Sequence, residues 1–126
     1  MSVLVDTSIW IEYFRSGNNS EKLDFLIDEN LIVTNDLILA ELVPSLKVRN
    51  QRNIIKLLYD INKLKLSINW DQIITFQSKC LKKGLHGIGV PDLIVAQNAK
   101  QNRFEIYSLD NHFNLMKNIL GLQLLE

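Results

Sequence analysis

Four acidic residues, Asp6, Glu41, Asp92 and Asp110, lie far apart in the chain, each at the edge of an apolar run or inside one. Asp6 closes Val3-Leu4-Val5, Glu41 interrupts a run from Leu37 to Val43, Asp92 opens Leu93-Ile94-Val95-Ala96, and Asp110 follows Ile106-Tyr107-Ser108-Leu109. Carboxylates avoid such settings unless something offsets their desolvation. Convergence on a shared divalent cation would do so. Hard cations such as Mg²⁺ take oxygen ligands and keep several waters, so a few carboxylates suffice and need no fixed spacing. The chemistry this implies is metal-assisted hydrolysis of a phosphodiester.

Each acid also has a plainer reading. Asp6 and Asp110 precede helical segments and suit an N-cap. Asp92 falls in a first helical turn, where a negative charge favours the macrodipole. Glu41 resists such a reading. Leu37 and Ile38 stand one turn before it, Leu42 and Val43 follow it directly, and no Lys or Arg lies within a turn. The expectation is a buried helical carboxylate with a functional partner.

The elements that would carry these residues follow from periodicity. Short apolar runs alternate with longer helical segments, the signature of a parallel sheet covered on both faces. Strands are expected at 2–5, 31–34, 64–68 and 105–109, with a possible last one at 122–125. Helices are expected at 7–15, 21–29, 36–47 (bent or broken at Pro44), 50–62, 70–82, 91–101 and 111–117, with turns or loops at 16–20 and 84–90. Asp6 and Asp110 then end strands, and parallel strands would place both at one edge of the sheet, where ligands bind in such folds.

The 126 residues form one expected domain, 1–126. Fourteen basic residues balance fourteen acidic ones, which argues against broad electrostatic binding of nucleic acid and makes any polyanion site local. The one cysteine, Cys80, cannot form an intrachain disulfide and reads as core, which suits a reducing, cytoplasmic setting. The longest apolar run is too short for a bilayer, and the first residues read as a strand rather than a signal peptide, so no membrane association is expected.

Four motifs in order carry a family resemblance: Val5-Asp6-Thr7-Ser8-Ile9-Trp10-Ile11-Glu12, Leu39-Ala40-Glu41-Leu42, Pro91-Asp92-Leu93-Ile94-Val95-Ala96, and Ser108-Leu109-Asp110-Asn111-His112-Phe113. Together they resemble PIN-domain ribonucleases of the VapC toxin type, across essentially the whole chain. The resemblance implies a three-layer α/β/α fold with a central parallel sheet of four to five strands. It implies Mg²⁺- or Mn²⁺-dependent cleavage of RNA, tRNA or rRNA being usual, with Asp6, Glu41, Asp92 and Asp110 as the acidic, metal-holding site. Thr7, Ser8 and Ser108 would orient carboxylates or water. A small antitoxin and a homodimer are the implied partners. One position departs from the family: many members carry an acid where this chain has His112. The two readings of His112 are a contact to RNA phosphate and structural packing beside Phe113, and packing is the expectation.

Cations must offset phosphate repulsion near such a site, and Arg15, Arg49 and Arg52 flank the segments that bear the acids. The 84–89 loop lacks the lysine and strand-to-helix order of a phosphate loop, leaving His86 as a speculative substrate contact. Trp10, Ile11, Tyr13 and Phe14 are either core or surface for a partner. The competing class is a non-catalytic module that gathers Asp residues around Mg²⁺, receiver-like or an inactive PIN fold. A receiver needs a late-strand lysine, and Ser108-Leu109-Asp110 stands in its place.

Overall fold

The computed structural model describes residues 2–15 and 20–126. The expected turn at 16–20 falls outside these except for Ser20, which opens a helix. In chain order the elements are β1 Val3–Val5, α1 Thr7–Arg15, α2 Ser20–Asp28, β2 Ile32–Asn35, α3 Asp36–Val48 and α4 Arg52–Asp60. They continue with β3 Asn62–Leu64, α5 Trp70–Lys82, α6 Val90–Asn102, β4 Glu105–Tyr107 and α7 Asn111–Leu120.

The sheet has four strands in the order β3-β2-β1-β4, and every pairing is parallel. β1 and β2 are the two inner strands, and Val3, Leu4, Val5, Ile32 and Val33 are all buried. This is the continuous apolar run expected of a strand covered on both faces. Helices α1, α3 and α4 pack together, as do α5, α6 and α7, giving the α/β/α layering of a PIN-like fold. The strand order also excludes the receiver reading, whose doubly wound sheet places β1 between β2 and β3.

Besides shifts of one to three residues, as in α4, β4 and α7, three elements differ from the sequence expectation, each for a local reason. Helix α3 runs unbroken through Pro44 to Val48, and Pro44 is exposed, so its ring costs the core nothing. Strand β3 ends at Leu64 instead of spanning 64–68. Beyond it, side chains of α6 take the carbonyls of Lys65, Ser67 and Asn69, which removes that segment from the ladder. The last segment makes one parallel bridge, Ile106 to Leu124, and no strand.

Helix α6 is the pivot of the site. Every residue from Leu93 to Ala99 is buried, so its polar residues must find partners inside. Gln97 answers both the N–H and the C=O of Asn69. Asn98 accepts from Asn35 Nδ2 at 2.9 Å and donates to Lys65 O at 3.1 Å. Asn35 in turn caps α3, accepting from Ile38 N at 2.9 Å. One buried amide pair thus ties α6, which carries Asp92, to α3, which carries Glu41.

Candidate active site

Register places the first two hydroxyls and the first acid. β1 pairs with β4 from Val3 opposite Glu105 to Val5 opposite Tyr107, and Asp6 N–H continues the ladder to Tyr107 O at 2.9 Å. The next residues, Asp6 and Ser108, therefore leave the sheet side by side. Asp6 is 7% exposed, and its Oδ2 accepts from Ser8 Oγ at 2.9 Å and Ser108 Oγ at 2.8 Å. Two hydroxyl donors account for a carboxylate held that deep. Ser108 also accepts from Asp110 N, and Ser8 from Leu109 N, so the pair of serines stitches the two strand ends together.

Asp110 caps α7, its Oδ1 accepting from His112 N at 2.9 Å. Its plain reading as a helix cap is correct and coexists with its place in the cluster. Asp92 sits in the first turn of α6. One ligand atom each from Asp92, Asp110 and His112 lie within 4.8 Å of one another. Burial pushes the Asp92 carboxyl above its ordinary pKa, the charges of Asp110 and Asp6 push it further, and the hydrogen bond from His112 opposes them.

His112 departs from the packing role expected of it. Its side chain is 39% exposed, and Nδ1 lies 2.9 Å from Asp92 Oδ2 and 3.5 Å from Asp110 Oδ1. The bond to Asp92 raises the imidazole pKa above its usual value. Phe113 alone enters the core. The signal available in the sequence was the position of His112 two residues after Asp110, which puts both in the first turn of one helix.

Glu41 is not buried, contrary to expectation. It stands on the outward flank of α3, while Ile38, Leu39, Leu42 and Val43 take the buried faces. An all-apolar neighbourhood in sequence covers only part of a helix circumference, and residue 41 falls in the gap. Its carboxylate still reaches the site's edge, accepting from Thr7 Oγ1 at 2.9 Å. The structure therefore brings Asp6, Asp92 and Asp110 together with Ser8, Ser108 and His112, and attaches Glu41 to them through Thr7.

From Glu41 a groove of about 660 Å³ runs between α1 and α3, with Ile11, Phe14, Leu42 and Leu46 along it and Arg15 and Arg49 beside them. Arg52 does not line it. His86 is exposed in its loop and makes no hydrogen bond or ion pair among the described residues. Trp10 is fully buried and Cys80 is core, whereas Ile11 is 45% exposed, so α1 divides between core and groove.

The donor set is carboxylate oxygen with one imidazole, and its unmet feature is crowded negative charge at Asp92. A divalent cation fits both. The site lies at the carboxyl edge of a parallel sheet, where ligands bind in α/β folds. The PIN-domain family model matches residues 3–118, and the chain belongs to that family. No curated protein matches it. Among solved structures it is similar to VapBC2 from Rickettsia felis bound to a promoter DNA fragment, at 22% identity and TM-score 0.78, over 99% of this chain and 98% of that one. It is also similar to DNA-bound VapBC from Salmonella typhimurium, at 14% identity and TM-score 0.77, over 99% and 97%. A third is VapBC-1 from nontypeable Haemophilus influenzae, at 22% identity and TM-score 0.69, over 100% and 98%. These likenesses establish the shared fold.

Proposed function

We propose that the protein is a metal-dependent endoribonuclease of the VapC type, the toxin of a type II toxin–antitoxin pair, acting in the cytoplasm as a single PIN domain over 1–126. The observation that carries this reading is the convergence of Asp6, Asp92 and Asp110 from the end of β1 and the starts of α6 and α7 at one edge of the sheet. These acids, with Glu41 at the margin, would hold Mg²⁺ or Mn²⁺, which would supply positive charge at the phosphodiester and lower the pKa of a water there.

The chain's own groups do the positioning. Ser8 and Ser108 hold the Asp6 carboxylate in one orientation, and Thr7 holds Glu41. A site carboxylate takes the proton of the attacking water while the phosphorus–oxygen bond to the leaving ribose breaks. Arg15 and Arg49 line the adjacent groove, where they would neutralise RNA phosphates as the strand approaches the acids. The formal net charge of zero makes this local pair the main attraction for RNA. A small antitoxin partner is supported by the VapBC complexes among the structural neighbours, and a homodimer is the assembly expected with it.

The test is cleavage of total RNA by purified protein with Mn²⁺, with Mg²⁺ and with chelator. Cleavage requires the cation, and Asp6→Asn and Asp92→Asn abolish it while leaving the circular dichroism spectrum unchanged. Full activity in either variant refutes the site. Co-expression with the product of the neighbouring small reading frame tests the antitoxin, and sedimentation tests the dimer.

A further inference from the structure

An imidazole stands where a set of hard oxygen ligands would otherwise be complete. Hydrogen bonding of its own backbone N–H to Asp110 Oδ1 fixes His112 in the first turn of α7. From there Nδ1 reaches 2.9 Å to Asp92 Oδ2 and 3.5 Å to Asp110 Oδ1. Two adjacent ligand atoms of an octahedral ion, each about 2.1 Å from it, are about 3 Å apart. The separations here bracket that value. The 2.9 Å contact is a hydrogen bond, and one ligand atom each of His112, Asp92 and Asp110 lie within 4.8 Å of one another, close enough to share an ion.

We propose that His112 is a metal ligand through Nδ1, beside Asp92 and Asp110, and that it turns the site toward transition-metal dications and away from Mg²⁺. The inference rests on the metal-dependent reading above and adds the identity of the cation class. Mg²⁺ is a hard ion that favours oxygen and surrenders its waters reluctantly, so an imidazole contributes little to holding it. First-row transition dications accept imidazole nitrogen readily, with affinity for a mixed N/O site rising from Mn²⁺ to Co²⁺. Replacing a carboxylate by a neutral imidazole also lowers the negative charge of the ligand set. That weakens electrostatic attraction for every dication equally and leaves nitrogen affinity as the term that discriminates.

The same geometry explains why the imidazole is tolerated between two acids without a metal. The hydrogen bond to Asp92 occupies the position a cation would take.

Calorimetric titration of the metal-free protein with MnCl₂, CoCl₂ and MgCl₂ at one pH tests the proposal. Pulsed electron paramagnetic resonance of the Mn²⁺-loaded wild type supplies the second readout, needing no variant. The expected results are tighter binding of Mn²⁺ and Co²⁺ than of Mg²⁺, and ¹⁴N modulation from a directly bound imidazole. His112→Asp lowers the ratio of Mn²⁺ to Mg²⁺ affinity by about tenfold or more, since even outer-shell changes cost that much, and removes the nitrogen signal. An unchanged ratio together with absent ¹⁴N modulation overturns the proposal while leaving a metal site intact. Failure of the wild type to bind any of the three ions overturns both the proposal and the nuclease reading. Nitrogen coupling in a protein that does not cut RNA supports the ligand assignment and removes the nuclease reading alone.

Discussion

Replacing Asn98 with alanine breaks the buried side-chain bond that joins α6 to the β2–α3 corner. Asn98 is 2% exposed and Asn35 is fully buried. The substitution leaves Asn35 Nδ2 without its acceptor at 2.9 Å and Lys65 O without its donor at 3.1 Å. A buried polar group deprived of its partner costs about 1–3 kcal/mol. Lys65 is an exposed residue, so water can serve its carbonyl and its share adds little. No water reaches Asn35, so its share belongs at the high end. The expected loss is about 3 kcal/mol. With a urea slope of about 2 kcal/mol per molar for a domain of this size, the unfolding midpoint falls by about 1.5 M. A double-mutant cycle with Asn35→Ala separates the pair from the separate loss of the α3 cap, and a coupling of about 1 kcal/mol or more is expected. A midpoint shift below about 0.3 M, or a coupling indistinguishable from zero, refutes the claim that this amide pair joins the two acid-bearing helices.

Three further outcomes follow from the site. His112 has a raised pKa because of its bond to Asp92. The stabilisation is therefore full below the unfolded value of about 6.5 and is lost as pH rises through the higher folded value. In chelator, the melting temperature falls across that window, and His112→Gln flattens the fall; equal slopes in the two proteins would contradict it. Asp92 also has a raised pKa, from burial and neighbouring acids, so its charge opposes folding at neutral pH when no cation is present. Asp92→Asn accordingly melts higher than wild type in chelator and loses the stabilisation that Mn²⁺ gives wild type, about 2.7 kcal/mol at a hundredfold excess over the dissociation constant; scanning calorimetry with and without Mn²⁺ reads both. Arg49 lines the groove and Arg52 does not. Arg49→Ala therefore weakens binding of single-stranded RNA and reduces the slope of log affinity against log salt by about 0.7, whereas Arg52→Ala changes the slope less; equal effects in filter binding would remove the groove as the RNA path.

The parts of this molecule legible in the sequence are those governed by short-range pattern. Short apolar runs shortly before Asp6 and Asp110 announce parallel buried strands, and parallel pairing is enough to bring their following residues to one edge. Asp92 could be placed because Pro91 and four apolar residues fix the start of a buried helix. Glu41 was singled out by a burial argument that fails: neighbours in sequence are not neighbours on a helix surface, and the apolar residues around it face the core while it faces the groove. Arg52 lies outside that groove, since flanking an acid in sequence does not place a side chain on the same surface. Asn35, Gln97 and Asn98 were invisible because nothing local marks them. Consecutive amides in a helix read as a solvated face, and only the surrounding of α6 by β-sheet and two helices forces them inward to find carbonyls at 65–69. His112 lay between these cases. Its distance of two residues from Asp110 was visible, but its approach to Asp92, twenty residues earlier, depends on α6 and α7 starting at the same edge of the sheet. Local pattern therefore supplies the ends of the elements, and chemistry that sits at those ends is readable. Chemistry that depends on how two helices are held against each other is not readable from the pattern. The Asn35–Asn98 link belongs to that second kind, and it joins the two helices that carry Asp92 and Glu41.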